Sequence, residues 1–448
     1  MAKGKTKKES VKQISRLAVI NPFVAGIDVS DIEMMVAYPI DHELLEVRAF
    51  GTFTQDLHEI AMTLKNNRIT SVAMESTGVY WVSLFLLLQE EGLEVLLVNA
   101  KHVKNVTGRK DDESDAEWIQ KLHSCGLLSP SFQPDNITRT LRSLVRHRKN
   151  LVQTSTTYLN RMQKALELMN IKLHTVISDI DGKTGITIIE AILAGERNPE
   201  KLASLKNSRI KVSHQILVKS LEGYWTPEHL FELKQCYQMY CMHKNLIKEC
   251  DLEIEKQLSI LIASTNQGEL KCLPEIKRKI NYKTKLPFNA TAYLKNIFEV
   301  DVTEIVGISE LSALTILSEV GTDMTKWKTD RHFTSWLGLA PNTKISGGKI
   351  ISSRIKKKKH YAGQAFRMAA NGLSNSKSPL GDYYRRIKSK AGPAKAVVAT
   401  ARKLAVIWYK MISNKTKFNP TELIEYQERY KQKKISNLKK KLQLLEAA

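Results

Sequence analysis

Gly26-Ile27-Asp28-Val29-Ser30 is an apolar stretch that contains a single carboxylate. The segment around it, residues 23–30, is typical of a buried β-strand, in which an unpaired acid would be strongly destabilising. Asp28 therefore needs a bound ligand or an ion pair, and it is the first candidate site residue of this chain.

The elements predicted on either side of this stretch indicate a mixed sheet. They are strands at 33–40 and 45–53, a helix at 55–65, a strand at 71–75, a helix at 79–90 and a strand at 94–98. Three strands joined by short turns predict an antiparallel meander, and the alternation that follows predicts a sheet covered by helices. This is the ribonuclease-H-like, or RuvC-like, order of elements.

Three further carboxylates accompany Asp28. Glu75 closes a predicted strand, where site residues of α/β proteins are usual, and Asp112 and Asp115 are spaced to share one face of a helix. Taken singly, each acid is more often a helix cap or a surface residue, and acids at 111–113 could simply complement a helix dipole. Together, in this strand order, they predict a metal site, with Asp111 as the alternative to Asp112.

The charge of the chain indicates a polyanionic partner. Lys and Arg number 69 against 46 Asp and Glu, a net charge of +23, which attracts nucleic acid. A membrane-surface role could use the same charge, but no apolar run approaches the ~20 residues that span a bilayer. Carboxylates in so basic a protein favour Mg²⁺-dependent phosphodiester chemistry, because Mg²⁺ binds through a few carboxylates and substrate phosphates.

The start of the chain lacks the features of a signal peptide, so a cytoplasmic protein is expected. The cysteines are odd in number and lack paired CxxC spacing, which argues against both a disulfide framework and a structural zinc site. They are Cys125, Cys236, Cys241, Cys250 and Cys272.

Beyond residue 137 the pattern becomes that of long helices. Steps of three and four residues mark two apolar seams, namely Leu159, Met162, Leu166, Met169 and Leu173, and then Leu230, Leu233, Tyr237, Tyr240, Lys244, Ile247, Asp251, Ile254, Leu258 and Leu261. Such seams predict either a coiled coil between chains or a helix hairpin within one chain, and spacing alone does not distinguish the two.

The expected fold class is α/β plus all-α, with five segments along the chain. They are a basic tail (1–20), a RuvC-like domain with the carboxylates (21–136), a helical coiled-coil region with a connector (137–298), a mostly helical C-terminal domain (299–415) and a basic, helical or disordered tail (416–448).

The carboxylate motifs resemble those of the DEDD transposases of bacterial insertion sequences. The matching stretches are Gly26-Ile27-Asp28-Val29-Ser30, Glu75-Ser76-Thr77-Gly78-Val79-Tyr80-Trp81, Asp112-Glu113-Ser114-Asp115-Ala116, and Ser335-Trp336-Leu337-Gly338-Leu339-Ala340-Pro341 followed by Ile345-Ser346-Gly347-Gly348-Lys349. The resemblance implies a bridge-RNA-guided DNA recombinase with Mg²⁺ at Asp28, Glu75, Asp112 and Asp115. Asp111 is a departure, since many relatives carry a small or hydroxylated residue there.

The resemblance also implies that Ser346 is the nucleophile of a covalent protein–DNA intermediate. A serine beside two glycines is otherwise typical of a turn, and Ser335, Ser352 and Ser353 are nearby competitors. Lys344, Lys349 and Arg354 could stabilise charge developing on a phosphate.

Further basic residues predict contacts with phosphates, and Tyr361, Tyr383 and Tyr384 could stack on bases. The basic residues are Lys356, Lys357, Lys358, Lys359, Arg385, Arg386 and Arg402. No base-reading motif is evident, consistent with sequence choice by RNA pairing.

The chain is thus expected to cut and rejoin double-stranded donor and target DNA with a guide RNA, as a homodimer or homotetramer associated with the bacterial nucleoid. One alternative is a RuvC-like nuclease that uses metal-bound water, with Ser346 structural. Another is a non-catalytic RNA-binding scaffold.

Overall fold

The computed structural model describes residues 10–13, 19–41, 44–99, 103, 114–265, 285–355 and 360–446. The chain divides into two compact units, Met1–Gln133 and Pro134–Ala448. Among the described residues, no helix is both long enough and apolar enough to cross a membrane.

The N-terminal unit is built on a six-stranded mixed sheet. Its strands are β1 (Ser10–Gln13), β2 (Val24–Val29), β3 (Met34–Pro39), β4 (Leu44–Phe50), β5 (Ser71–Glu75) and β6 (Glu94–Val98). The order in the sheet is β1-β4-β3-β2-β5-β6. The neighbours β1–β4, β4–β3 and β3–β2 are antiparallel, and the neighbours β2–β5 and β5–β6 are parallel. The mixed N-terminal sheet predicted from the sequence is confirmed, and β1 lies within the segment expected as a basic tail.

Three helices of the described part of this unit cover the two faces of the sheet. They are α1 (Thr54–Asn66), α2 (Trp81–Glu90) and α3 (Asp115–Ser124). On one face Ile27 and Met74 pack with apolar residues of α1 and α2, and on the other Ala73 packs with apolar residues of α3. Each parallel strand is therefore buried on both sides, as its nearly continuous apolar sequence requires.

The C-terminal unit is mostly helical, as predicted. Its helices are α4 (Asn136–Leu168), α5 (Leu173–Val176), α6 (Lys183–Leu193), α7 (Pro199–Ser204), α8 (His214–Leu221), α9 (Pro227–Thr265), α10 (Ala290–Phe298), α11 (Glu310–Val320), α12 (Asp330–Trp336), α13 (Tyr361–Gly372), α14 (Pro379–Ala391), α15 (Pro393–Asn414) and α16 (Thr421–Glu446). Three short 3-10 helices, Val302–Glu304, Met324–Lys326 and Leu373–Asn375, and one hairpin complete its described part.

The long helices α4 and α9 pack against each other within one chain. Their buried residues include Met162 and Leu166 of the first predicted seam and Ile254 and Leu258 of the second. The short helices α5 to α8 enclose the end of the pair in one apolar cluster. Of the two alternatives for the seams, this arrangement is the helix hairpin within one chain.

A buried ion pair lies inside the helix hairpin. Asp251, a polar position of the predicted seam, is 0% exposed and receives two hydrogen bonds from the guanidinium of Arg148, which is 2% exposed. The pair therefore joins α4 to α9 inside the hairpin, with each charge facing its counter-charge.

Asp251→Ala is expected to lower the free energy of unfolding by about 3–5 kcal/mol, because it leaves the Arg148 guanidinium buried without a counter-charge. The double variant Arg148→Met/Asp251→Leu should lose much less, since it removes both charges and keeps the volume. Urea unfolding followed by circular dichroism measures both. Equal losses in the two variants would show that packing, not the uncompensated charge, sets the effect.

Helix α11 is attached to α4 by a second carboxylate. Glu319, 3% exposed, accepts hydrogen bonds from Arg146 Nε at 2.7 Å and from Arg146 Nη2 at 2.9 Å. Arg142 Nη2 donates to the Glu319 main-chain oxygen at 2.8 Å. Helix α11 ends at Gly321, which has a φ of +76°, a backbone conformation that favours glycine. Helix α11 is therefore joined to the amino-terminal half of α4 by two arginines.

Candidate functional site

The face of the sheet that carries Asp28 is the face covered by α3. A Cβ at Gly26 would lie 2.2 Å from Gln120 N and 2.4 Å from Ala116 O, so only glycine lets this helix approach β2 so closely. Side chains two residues apart on a strand share a face. The side chain of Asp28 therefore projects from β2 on the same face of the sheet as α3.

Helix α3 runs antiparallel to β2. Gln120 Nε2 donates to Val24 O at 3.3 Å, and Ala116, one turn earlier in the helix, lies at Gly26. The carboxyl end of β2 therefore lies beside the amino end of α3. This direction brings Asp115, the first residue of α3, to the end of β2 that carries the strand's carboxylate.

Glu75 lies at the same edge of the sheet. Strands β2 and β5 are parallel neighbours, and Ile27 pairs with Met74 in their register, so Asp28 and Glu75 occupy the next position of each strand. Ala73 packs under α3, and Glu75, two residues on, faces the same way. Two carboxylates thus end adjacent parallel strands on one face.

The Glu75 side chain is held by its own turn. It is 9% exposed, and Thr77 Oγ1 donates a hydrogen bond to Glu75 Oε1 at 3.0 Å. Gly78, with a φ of +54°, turns the chain toward α2. One carboxylate oxygen of Glu75 is therefore oriented before any ligand arrives.

Asp115 begins α3 behind a reciprocal cap. Ser114 Oγ accepts a hydrogen bond from Glu117 N at 3.2 Å, and Ser114 N donates to Glu117 Oε2 at 2.7 Å. This capping box was readable in the sequence as Ser-x-x-Glu. Asp112 lies outside the described residues, and α3 begins at Asp115.

The edge of the sheet offers oxygen donors of the kind Mg²⁺ prefers. Asp28, Glu75 and Asp115 supply them from two strands and one helix. Across the ranges that the structure describes, no three His, Cys, Asp or Glu side chains lie close enough together to hold a metal ion. The donor chemistry fits a hard cation, while the described side chains do not form its complete coordination shell.

Ser346 lies at the tip of a two-stranded hairpin. Strands β7 (Lys344–Ser346) and β8 (Lys349–Ser352) are antiparallel, with Ser346 paired to Lys349. The two residues between them, Gly347 and Gly348, have φ values of +55° and +75°, which a two-residue hairpin turn requires. Gly347 and Gly348 therefore form the turn of the hairpin, and glycine is needed there for the backbone conformation.

The hairpin projects into solvent. Ser346 is exposed, and its hydroxyl makes no hydrogen bond to any residue that the structure describes. A Cβ at either glycine would have nothing within 4 Å. Of the competing serines, Ser352 ends β8 and accepts a hydrogen bond from Arg354 N at 3.4 Å. Ser346 is thus accessible to a large substrate, and its hydroxyl is not held by a hydrogen bond to a described residue.

Comparison with known proteins gives a family match for each of these two regions. A family model described as a transposase, DEDD_Tnp_IS110, matches residues 25–171, and a model described as the transposase IS116/IS110/IS902 family matches residues 301–385. The chain belongs to the IS110/IS116 family of transposases. No curated protein matches the chain. As a member of this transposase family, it is an enzyme that acts on DNA by cutting and rejoining.

The basic residues of this IS110/IS116 transposase occupy several environments. Lys344, Lys349 and Arg354 are exposed on or beside the hairpin, and Lys356, Lys357, Lys358 and Lys359 lie outside the described residues. Arg385 donates to the main-chain oxygens of Ser374 and Ser376 and pairs with Asp382. Arg402 is half-buried on α15.

The three tyrosines predicted to stack on bases also differ. Tyr384 is 3% exposed and belongs to the core. The ring of Tyr361 is covered by Arg146, at 4.6 Å, and by Lys149, at 4.4 Å. Tyr383 remains at the surface beside Arg386.

Sequence reasoning missed two features of the transposase. In the sequence, Gly26 is only part of a motif. Its role in the close approach of α3 depends on Ala116 and Gln120, which are at least 90 positions away in the chain. Tyr430 and Lys434 of α16, which lie beside Arg386, were treated only as part of a charged tail.

Proposed function

We propose that this transposase cuts and rejoins insertion-sequence DNA through two parts, a Mg²⁺ site formed by Asp28, Glu75, Asp112 and Asp115 and a nucleophile at Ser346. Bound Mg²⁺ would polarise the scissile phosphate and lower the pKa of an attacking hydroxyl. The carboxylates hold the ion and orient the phosphate beside it.

Ser346 Oγ forms a bond to the phosphorus, and the bond from phosphorus to one deoxyribose oxygen breaks. The hydroxyl proton leaves as Oγ attacks, and the released deoxyribose oxygen takes up a proton. Attack by a hydroxyl of a second DNA end then reverses these steps and frees the serine. One phosphodiester is exchanged for another at each step, so the reaction needs no external energy source.

The observation that carries this proposal is that the serine and the groups that could activate it lie in different regions of the chain. The Ser346 hydroxyl is exposed and forms no hydrogen bond to a described residue that would activate it, while a serine is a weak nucleophile until it is activated. The edge of the sheet offers carboxylates. Each region supplies what the chemistry of the other requires.

Guidance by a bridge RNA is part of the same proposal. The net charge of +23 suits a protein that binds RNA together with donor and target DNA, because each phosphate contact displaces counterions. The chain shows no base-reading motif, which agrees with sequence choice by RNA pairing.

A metal-dependent nuclease that uses water is the second candidate. It is favoured by one observation, since Ser346 precedes a Gly-Gly hairpin turn that accounts for a serine there without any catalytic role. In this candidate the carboxylate edge works alone and no protein–DNA bond forms.

The two candidates are separated by trapping. We expect purified transposase, with its co-purifying RNA and labelled insertion-sequence ends, to give a covalent protein–DNA adduct on a denaturing gel when Mg²⁺ is present. A chelator should abolish both adduct and cleavage, because the carboxylates cannot polarise a phosphate alone. Mg²⁺-dependent cleavage without an adduct would favour the nuclease. Undiminished cleavage in chelator would refute the metal site itself.

A further inference from the structure

Two helices of the N-terminal unit begin with an aromatic residue at the end of the sheet that carries Asp28 and Glu75. Phe53 occupies the N-cap position of α1 and Tyr80 that of α2, and neither side chain makes a capping hydrogen bond. Ser, Thr, Asp and Asn are preferred at this position, because their side chains accept hydrogen bonds from the first helical turn. Capping therefore does not account for either aromatic ring.

Both rings are exposed, together with one apolar neighbour each. Phe53, Ile32, Val79 and Tyr80 are 45–81% exposed, and we call these four residues the apolar rim. The Tyr80 ring lies beside the turn that follows β5, since a Cβ at Gly78 would be 3.2 Å from Tyr80 Cε2. The rim thus presents its side chains to solvent from turns that are themselves ordered.

Phe53 and Ile32 lie in joined turns at the carboxyl end of β2. Strand β4 runs parallel to β2, because both are antiparallel to β3. Thr52 Oγ1, in the turn after β4, donates a hydrogen bond to Asp31 O in the turn after β2, at 3.3 Å. The residues that follow these two in the chain are Phe53 and Ile32, so one half of the rim lies on the β4 side of β2.

Val79 and Tyr80 form the other half of the rim. They follow Glu75 in the turn after β5, and β5 is the neighbour of β2 on the side away from β3. Along this edge of the sheet, Asp28 therefore has exposed apolar side chains on both sides. Scattered surface apolar residues need no explanation, but a set that borders candidate site residues indicates a binding surface.

DNA is the occupant that fits this position. A transposase of this family acts on DNA, and a strand whose phosphate reaches the carboxylates must place its neighbouring nucleotides over the residues on either side. A protein partner seated on the rim would instead cover the edge and hinder a phosphate from reaching it. Aromatic rings at a surface stack on the faces of bases, and apolar side chains inserted at a base step unstack it and kink the strand.

We propose that the apolar rim holds the two bases that flank the scissile phosphate, with Phe53 against one base and Tyr80 against the other. The step between these bases opens, and the phosphate that joins them is presented to Asp28 and Glu75. An aromatic side chain has few rotatable bonds, and the Phe53 main chain is already held by a hydrogen bond from its N to Asp56 Oδ2 at 3.0 Å, so little freedom is lost on binding. This inference rests on the proposed function in placing the scissile phosphate at the carboxylates.

The base contacts are tested by photocrosslinking, which requires no cleavage. Full-length transposase with its co-purifying RNA is mixed with insertion-sequence DNA that carries 5-iododeoxyuridine at one position on either side of the cleavage site. Irradiation links this base to an aromatic ring on which it stacks, and mass spectrometry of the digested protein identifies the ring. We expect links to Phe53 from one side of the cleavage site and to Tyr80 from the other.

The contribution of each ring to the reaction is measured by single-turnover cleavage. Phe53→Leu and Tyr80→Leu should each slow cleavage about tenfold and lose the corresponding crosslink, because leucine keeps an apolar side chain but offers no ring for stacking. Phe231→Leu is the matched control, since Phe231 is an exposed phenylalanine of α9 in the other compact unit. It should change the rate by less than about twofold. Thermal unfolding of each variant checks that the fold is kept.

Wild-type cleavage by both rim variants, or crosslinks only to residues outside the rim, would overturn the proposal. A slower rim variant with an altered oligomeric state in light scattering would also overturn it, because the rim would then be a contact between copies of the chain. Asp28→Asn protein separates this test from that of the proposed function. Wild-type cleavage by Asp28→Asn would refute the metal site, whereas the crosslinks of the wild-type protein decide the base contacts.

Discussion

Asp28→Asn is expected to lower DNA strand cleavage about 1000-fold, which corresponds to ~4 kcal/mol of transition-state stabilisation. The amide keeps the size of the side chain but removes the negative charge that is proposed to bind the metal ion. Binding of DNA and RNA should stay within about twofold, because no basic contact is lost. Single-turnover cleavage of labelled DNA measures the first quantity, and anisotropy the second.

The control for this variant is Glu94→Gln. Glu94 is an exposed acid at the amino end of β6, and Glu75 lies at the carboxyl ends of the parallel strands. The substitution removes one negative charge from the N-terminal unit without changing a proposed site carboxylate, so cleavage should remain as in wild type. A similar loss in both variants would mean that overall charge, not the site, limits the reaction.

Ser346→Ala is expected to abolish the covalent protein–DNA adduct and to reduce strand joining at least about 1000-fold, because no other group replaces the attacking oxygen. The hairpin should fold unchanged, since its turn depends on Gly347 and Gly348. Ser353→Ala, an exposed serine just beyond β8, is the matched control and should retain full activity. An active Ser346→Ala enzyme would return the chemistry to metal-bound water.

The same variant tests whether the site is shared between subunits. We propose that the carboxylates of one protomer serve the serine of another in a homodimer or homotetramer. Mixed oligomers of Asp28→Asn and Ser346→Ala chains should then recover part of the activity, because some assemblies pair an intact edge with an intact serine. No recovery in verified mixed oligomers would place both parts of the site in one chain.

The packing of α4 and α9 bears on this proposal. The seam that could have joined two chains is buried within one chain, and the Arg148–Asp251 pair closes it. Any link between protomers must therefore use other surfaces. The mixing experiment depends on the assembly alone and not on how the helices achieve it.

Much of the N-terminal unit could be predicted from its sequence. Strands such as Val24–Val29 and Ser71–Glu75 are continuous apolar runs that end in or contain an acid, and such runs depend on local composition. The stop of α11 at Gly321 was likewise readable, because a positive φ favours glycine. The seams predicted two long helices for the same reason.

The spatial relations between these elements required the tertiary structure. The periodicity of α3 shows which of its faces is apolar, but not that it crosses β2 at Gly26 with its first residue toward Asp28. The partner of Asp251 was equally hidden, because a seam has the same spacing whether it meets another chain or its own.

The sequence by itself therefore determined the strands, the helices, the acids at their ends and the strong positive charge, since each follows from neighbouring residues or from composition. Only the tertiary structure decided that Asp28 and Glu75 share a face, that Ser346 stands exposed on a hairpin, and that Tyr430 closes over Arg386. Those relations join residues far apart in the chain, and they arise from packing geometry that no local pattern encodes.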